Sequence, residues 1–302
     1  AANRCNHQCQ RGYGWVVCTL WNQRTVGQRR AVSAATTLAC IRKLKTRSNF
    51  RSPISSCKSP TALTARRWPT VRWFQSVQTT QPYPRWHWWL QRFAARRAER
   101  VICPSRSVAD HAASAAGVPH EKLVVLPNGV EQVVSEAQVN EQLPMRVGFL
   151  GRLDPVKRVH LLIESTRDLP GVTLDIFGEG PDRARLELLE HGRFHGMVER
   201  DQALATLDLL VLPSLAEGMP MVLLEAMAAG VPVVAFDVPG CRDVVCDNVN
   251  GRFATPTTLR DVIAELRDDP DQRRHLATGG RATAERHRWP AIAADYAAVL
   301  EL

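Results

Sequence analysis

Acidic residues are almost missing from the first third of this 302-residue chain: residues 1–100 hold 19 Lys and Arg against one acid, Glu99. The remainder inverts the balance, with 20 bases against 29 acids in residues 101–302. The formal net charge of +9 therefore describes neither part. Long apolar runs are also lacking. No run of eighteen or more uncharged apolar residues occurs, which argues against a membrane-spanning helix, and the first thirty residues lack the apolar core of a secretory leader. The expectation is a cytoplasmic protein. A second metal-ligand pair is missing too: "CNHQC" at residues 5–9 has the right residue types, but nothing follows it at zinc-finger spacing.

Three readings of the N-terminal stretch stay open: a basic arm for nucleic acid or membrane, a metal or disulfide module, or non-native sequence. Cys5, Cys9, Cys18, Cys40 and Cys57 all precede residue 60, and residues 1–65 contain no Asp or Glu. Arg, Ser, Thr, Cys and Trp are abundant there, and periodic apolar patterning is scarce. A shifted reading frame or a wrong start would give such a stretch, so residues 1–65 are left unassigned, as non-native or disordered.

From residue 66 the pattern changes. "PTVRWFQSV" reads as a strand. In "PRWHWWLQRFAARRAERVICPS", Trp86, Trp89, Leu90, Phe93 and Ala94 recur at helical spacing, with Arg85, Arg92, Arg96 and Arg100 mainly on other faces. This helix, within residues 85–100, either packs its aromatic face on a core or rests as a basic, Trp-bearing helix on anionic lipid. "RVICPS", "SVADHAASAAG" and "KLVVLPNGV" follow as strand, helix and strand, and residues 131–144 are polar enough to be a linker. Beyond the linker, short apolar strands alternate with helices from "RVGFLG" to "VPVVAFDV". That alternation predicts an α/β domain with a doubly wound parallel sheet covered on both faces. From Thr258 the tail reads as helices.

In open parallel sheets, ligands bind beyond the carboxyl ends of the strands, and the informative residues follow the strands here. "GRLDPVKR" places Gly151, Arg152, Lys157 and Arg158 after the first strand, a glycine turn with cations suited to a diphosphate. They also fit an ordinary solvated helix start. "FGEGP" brings Gly178 and Gly180, but Arg183 stands where a dinucleotide fingerprint needs its third glycine. In "PSLAEGMPMVLLEAMAAG", Gly218 and Pro220 open a helix whose first amides, around Met219, Met221 and Val222, would face an anion. Glu217 stands at its mouth, and Glu225 lies inside an otherwise apolar run. An unpaired carboxylate in such a setting costs several kcal/mol. Either ribose hydroxyls or the amides of a neighbouring loop would satisfy Glu225. After the fifth strand, "DVPGCRDVV" offers Gly240 for another close approach.

These motifs, with "RFHGMV" and the closing "NGRF", resemble the retaining glycosyltransferases of family 4, the group 1 transferases. "VICPSRSVADHAASAAG…VVLPNGVE" is similar to the end of their first domain. The resemblance runs from about residue 66 to the end and is strongest from 100 to 254. It implies the GT-B arrangement, two Rossmann-like doubly wound domains facing a cleft, the N-terminal one incomplete here. The divisions would be 66–130 for the remnant of the acceptor domain, 131–144 for the linker, 145–285 for the nucleotide-sugar-binding domain, and 286–302 for a helix packing back toward the N-terminal domain.

By that resemblance Arg152 and Lys157 hold a donor diphosphate and Glu217 lies by the transferred sugar, giving these three the catalytic roles. Glu225 takes the ribose hydroxyls, the base lies near Met197, and Gly151, Gly178, Gly218, Met219, Pro220, Met221 and Val222 complete donor binding. The implied partners are a UDP-, GDP- or ADP-linked sugar and a glycan or lipid-linked acceptor, without nucleic acid. No cofactor and no metal is expected, since fixed cations and amides would stabilise the leaving group. The one Asp-x-Asp, Asp269 and Asp271, lies between tail helices. Contact through residues 85–100 would place the protein peripherally on the inner face of a membrane.

Residues 1–65 lack the family's glycine-rich loop, and "VRWFQSVQTTQP" offers Gln75 and Gln78 where a histidine is expected. An inactive nucleotide-sugar-binding remnant is therefore the alternative to an active polysaccharide or cell-envelope transferase.

Overall fold

A computed structural model describes residues 38–40, 73–78, 85–131, 141 and 143–300. The other expectations for residues 1–65, including "CNHQC", and most of the expected linker 131–144 lie outside these residues. The chain divides into two compact units that change over between residues 125 and 126, with 104–107 assigned to the second.

The first unit contains strands β1 (Leu38–Cys40) and β2 (Trp73–Ser76), helix α1 (Arg85–Arg97), β3 (Arg100–Cys103), all but the first two residues of α2 (Arg106–Ala116), and β4 (Leu123–Val125). The sheet order is β1-β2-β3-β4, antiparallel at β1 and parallel beyond it. Helix α1 packs inward through Trp88, Gln91, Ala95 and Ala98, a row at helical spacing. This reverses the expected face, since Trp89, Leu90 and Phe93 are exposed. The reason is local. Ala95 and Ala98 are small enough for close approach, Gln91 bonds the buried Gln75 of β2, and Trp88 meets the His111 ring edge-on at 4.8 Å. Burial holds the His111 imidazole below its ordinary pKa. Lys122 closes the end of α1, donating to the carbonyls of Ala95, Arg96 and Ala98 at 3.1, 3.0 and 2.9 Å.

The second unit is built on β5 (Met145–Leu150), β6 (Val172–Phe177), β7 (Arg193–Gly196), β8 (Leu209–Leu212), β9 (Val233–Phe236) and β10 (Arg252–Ala254). The sheet is parallel throughout, in the order β10-β9-β8-β5-β6-β7. Counted from β5, this is the 3-2-1-4-5-6 order of a doubly wound nucleotide-binding sheet. Strands β8 and β9 are buried along their whole length, as their continuous apolar runs require. The intervening helices are α3 (Val159–Thr166), α4 (Arg183–Glu187), α5 (Arg200–Leu204), α6 (Met221–Ala229) and α7 (Pro239–Arg242).

Three tail helices follow: α8 (Leu259–Asp268), α9 (Pro270–Arg286) and α10 (Trp289–Leu300). Asp269 caps α9 by accepting the Gln272 N–H at 2.8 Å, with Pro270 in the first turn. Its place in the Asp-x-Asp pair thus has a structural cause. Buried Arg273 donates to the Leu266 and Arg267 carbonyls at the end of α8. Before α10, the Val130 N–H donates to His287 O at 2.8 Å and the Trp289 N–H to Val130 O at 3.3 Å.

Buried Asn250 ties the sheet margin to α9. It donates to Val244 O at 3.0 Å and Thr283 Oγ1 at 2.9 Å, and accepts the Cys246 N–H at 2.7 Å. Asn250→Ala strips partners from three groups, and a loss of about 2–3 kcal/mol is expected. Urea unfolding measures it; a midpoint within error of wild type would contradict this account.

Candidate functional site

Strands β5 and β8 are neighbours although β6 and β7 lie between them in sequence. Chain crossovers leave such a point in opposite directions and open a crevice at the strands' carboxyl ends. Gly151, Arg152 and Lys157 leave β5 here, and Glu217 leaves β8. The structure joins two of them: Lys157 Nζ lies 2.6 Å from Glu217 Oε1, with the side chains 23% and 10% exposed. The backbone fixes the pairing, since the Leu215 N–H donates to Val156 O at 2.8 Å.

Lys157 sits in a 3-10 turn, Pro155–Lys157, and α3 starts only at Val159. Asp154 starts that turn by accepting the Val156 N–H at 3.3 Å, and Arg158 ends it in the left-handed conformation at φ 51°. The Arg158 guanidinium lies 5.7 Å from the centre of the Phe236 ring. Arg152 is exposed and paired with Asp154. Partial burial would raise the Asp154 carboxyl, but bonds from Arg152 and the Val156 amide outweigh it and hold its pKa below the ordinary value.

The glycines of "FGEGP" serve the neighbouring loop. Gly178 has φ 127°, and a Cβ there would overlap the Gly151 carbonyl. The Gly151 N–H donates to Phe177 O at 3.0 Å, the Leu153 N–H to Glu179 O at 2.9 Å, and the Gly178 N–H to Gly196 O at 2.7 Å. The loops after β5, β6 and β7 are thereby stitched together. Met197 stands exposed at the carboxyl end of β7, two strands from β5.

Helix α6 begins at Met221, with Pro220 at its N-cap rather than in its first turn, and no capping side chain. The Leu223 N–H turns back to Pro220 O at 3.1 Å, which leaves the leading amides of Met221 and Val222 with no bond inside the helix. Gly218 and Met219 form the approach, and a Cβ on Gly240 of α7 would overlap the backbone carbonyls of Glu217 and Gly218. Glu225 is neither fully buried nor held by loop amides. Arg200, in the first turn of α5, donates to Glu225 Oε1 at 3.1 Å and through Nε to Asp201 at 2.8 Å. Sequence reasoning missed Arg200, because 25 residues separate the pair and no periodic signal links α5 to α6. Among the described residues no group of three or more His, Cys, Asp or Glu is gathered as for a metal ion.

The fold has counterparts among solved structures, and the chain has a GT-B-like fold of two Rossmann-like units. The structure of Anabaena Alr3699/HepE, in complex with UDP and glucose, matches with a TM-score of 0.72 at 23% identity, over 80% of this chain and 74% of that one. Residues 135–283 match the model of the family Glycosyl transferases group 1, and residues 50–132 that of Glycosyltransferase Family 4. The chain is thus related to the glycosyltransferases of these two groups. It is 27% identical to the sulfoquinovosyl transferase SQD2 of Arabidopsis thaliana, over 68% of this chain and 44% of the relative. It is 30% identical to the D-inositol 3-phosphate glycosyltransferase of Xylanimonas cellulosilytica, over 65% and 55%. The chain therefore spans about half the length of these relatives.

The Lys157–Glu217 contact generates a test that needs no substrate. Lys157→Ala takes the cation away from a largely buried carboxylate, whereas Lys157→Ala with Glu217→Gln removes the negative charge as well. A coupling of about 1–2 kcal/mol is expected from the double-mutant cycle. Additive single effects in chemical unfolding would mean the two side chains do not interact.

Proposed function

We propose that this protein transfers a sugar from a nucleotide-sugar donor to a glycan or lipid-linked acceptor, with retention of anomeric configuration and without a metal ion. The observation that carries the reading is the Lys157–Glu217 pair at the β5–β8 crevice, beside the uncapped start of α6. A cation, a carboxylate and backbone amides at one strand edge match a donor's three chemical parts. The diphosphate takes Lys157, Arg152 and the amides of Met221 and Val222. The sugar hydroxyls take Glu217, and the ribose diol takes Glu225. The base lies toward Met197. Among UDP, GDP and ADP, UDP is the first to test, because the HepE structure holds UDP and glucose.

The chemistry follows from charge. As the bond between the anomeric carbon and the diphosphate oxygen breaks, its electron pair goes to that oxygen and the sugar gains positive character. Cations and amides fixed at the leaving oxygen lower the barrier without reorganising. The acceptor hydroxyl oxygen forms its bond on the face the diphosphate leaves, and its proton passes to a diphosphate oxygen. Glu217, beside the sugar, favours the positive character that develops there. No covalent bond to the protein is required. The work is done on the inner face of a membrane, which the protein contacts peripherally.

Glu225→Gln is expected to weaken UDP binding at least tenfold by calorimetry, because a diol bonds a carboxylate more strongly than an amide. Arg152→Ala is expected to lower donor turnover about tenfold or more while the melting temperature stays unchanged. UDP binding without hydrolysis or transfer of any UDP-sugar would instead identify an inactive binding protein. No nucleotide binding at all would end the proposal.

A further inference from the structure

The face of α1 that points away from the first unit's core is itself ordered. Trp89 and Phe93 stack with ring centroids 6.0 Å apart and planes 17° apart. The Arg97 guanidinium covers Phe93 at 4.0 Å from the ring centre. These residues stand at i, i+4 and i+8, so the three side chains form one ladder along the helix. Trp89, Leu90 and Phe93 are 64%, 48% and 37% exposed, while the buried row of Trp88, Gln91, Ala95 and Ala98 lies on the opposite side.

Arg92 and Arg96 flank the ladder and are exposed, and α1 contains no acid. Burying the ladder inward is impossible without expelling Trp88 and breaking the Gln75–Gln91 bond. Three large apolar side chains are thus held in water beside a cluster of guanidinium groups.

We propose that this outward face of α1 docks on an anionic lipid surface, with Trp89, Leu90 and Phe93 entering the headgroup region and Arg92, Arg96 and Arg97 meeting lipid phosphates. Aromatic rings favour the polar–apolar boundary, and arginine extends its stem along apolar matter while its head stays with the phosphates. The charge is complementary: each guanidinium near an acidic bilayer adds attraction that salt screens.

Single-stranded nucleic acid also seeks aromatic and basic side chains, but the ladder offers it little. A base between Trp89 and Phe93 would need roughly 7 Å, twice the optimal carbon–carbon separation. The gap is 6.0 Å, and Arg97 occupies the other face of Phe93. Both faces of Phe93 are thus taken, by Trp89 and by Arg97, which leaves that ring no face for a base.

The attachment gives the peripheral contact of the proposed function a specific face and lipid chemistry, yet it stands apart from transfer chemistry, so binding and turnover fail separately. The test is co-sedimentation of the full chain with sonicated vesicles of phosphatidylcholine alone or with one third phosphatidylglycerol. Wild type is expected to bind the anionic vesicles at least tenfold more tightly, and to lose most of that binding in 0.5 M salt. Trp89→Ser with Phe93→Ser, and separately Arg96→Gln with Arg97→Gln, are each expected to weaken it at least fivefold. Both sets of side chains are exposed, so the melting temperature should hold. Should one pair unfold the chain, the other decides. Equal binding to both vesicles, no binding to either, or undiminished binding by the folded variants overturns the proposal, as does single-stranded DNA competing the vesicles away at equal charge.

Discussion

The adjacency of β5 and β8 is the constraint on which the site rests. Only two residue pairs define their register, Val147 with Leu209 and Gly148 with Leu210. The pairing is extended at its start by Asp208, whose carboxylate accepts the Arg146 N–H at 2.7 Å while its own N–H donates to Arg146 O at 2.9 Å. This reciprocal bonding fixes how far each strand runs before its loop begins. A slip of one residue would exchange the two faces of the strand and separate Lys157 from Glu217. The loops after β6 and β7 brace the crevice. Gly178 and Gly151 let backbone lie on backbone there, and the loop that carries Lys157 gains a floor.

Much of the second unit was legible because parallel strands must be apolar on both faces and helices on one. "VPVVAFDV" and "DLLVLPS" therefore announced central strands. The candidate site's residues were singled out for a related reason: in such a sheet, ligands bind beyond the strand ends, and Gly151, Lys157, Glu217 and the start of α6 all follow strands. What stayed hidden depended on three-dimensional pairing. Nothing in "VERDQ" indicates that Arg200 reaches Glu225, and nothing in "DPVKR" shows a 3-10 turn ending in a left-handed arginine. Helix α1 shows the limit of periodicity. Its sequence carries two apolar stripes, Trp89–Phe93 and Trp88–Ala95–Ala98, and the wider aromatic one looks like the core face. Close packing decided otherwise, because alanines let the helix axis approach the sheet and bulky rings do not.

The charge of the second unit adds a physical condition. Residues 101–302 carry nine more acids than bases, so their mean field disfavours an anionic ligand. Binding of a diphosphate must then come from short-range contacts. In this structure three candidate cations already hold carboxylates: Arg152 with Asp154, Lys157 with Glu217, and Arg200 with Glu225. On the proposed reading, a donor enters by exchange. Phosphate oxygens replace Glu217 at Lys157, and the freed carboxylate turns to the sugar hydroxyls that arrive with those phosphates.

That exchange links recognition of the two halves of a donor. A free phosphate or an isolated diphosphate would take Lys157 and break the bond that this cation makes to Glu217, whose side chain is only 10% exposed. The loss of that charge pair offsets part of the gain at the cation. A sugar without its diphosphate meets the reverse difficulty, because Lys157 still occupies Glu217. A ligand presenting phosphate and hydroxyl groups a few ångströms apart meets both side chains at once. On the proposed reading, selectivity for an intact nucleotide sugar over its fragments follows from the pairing of Lys157 with Glu217.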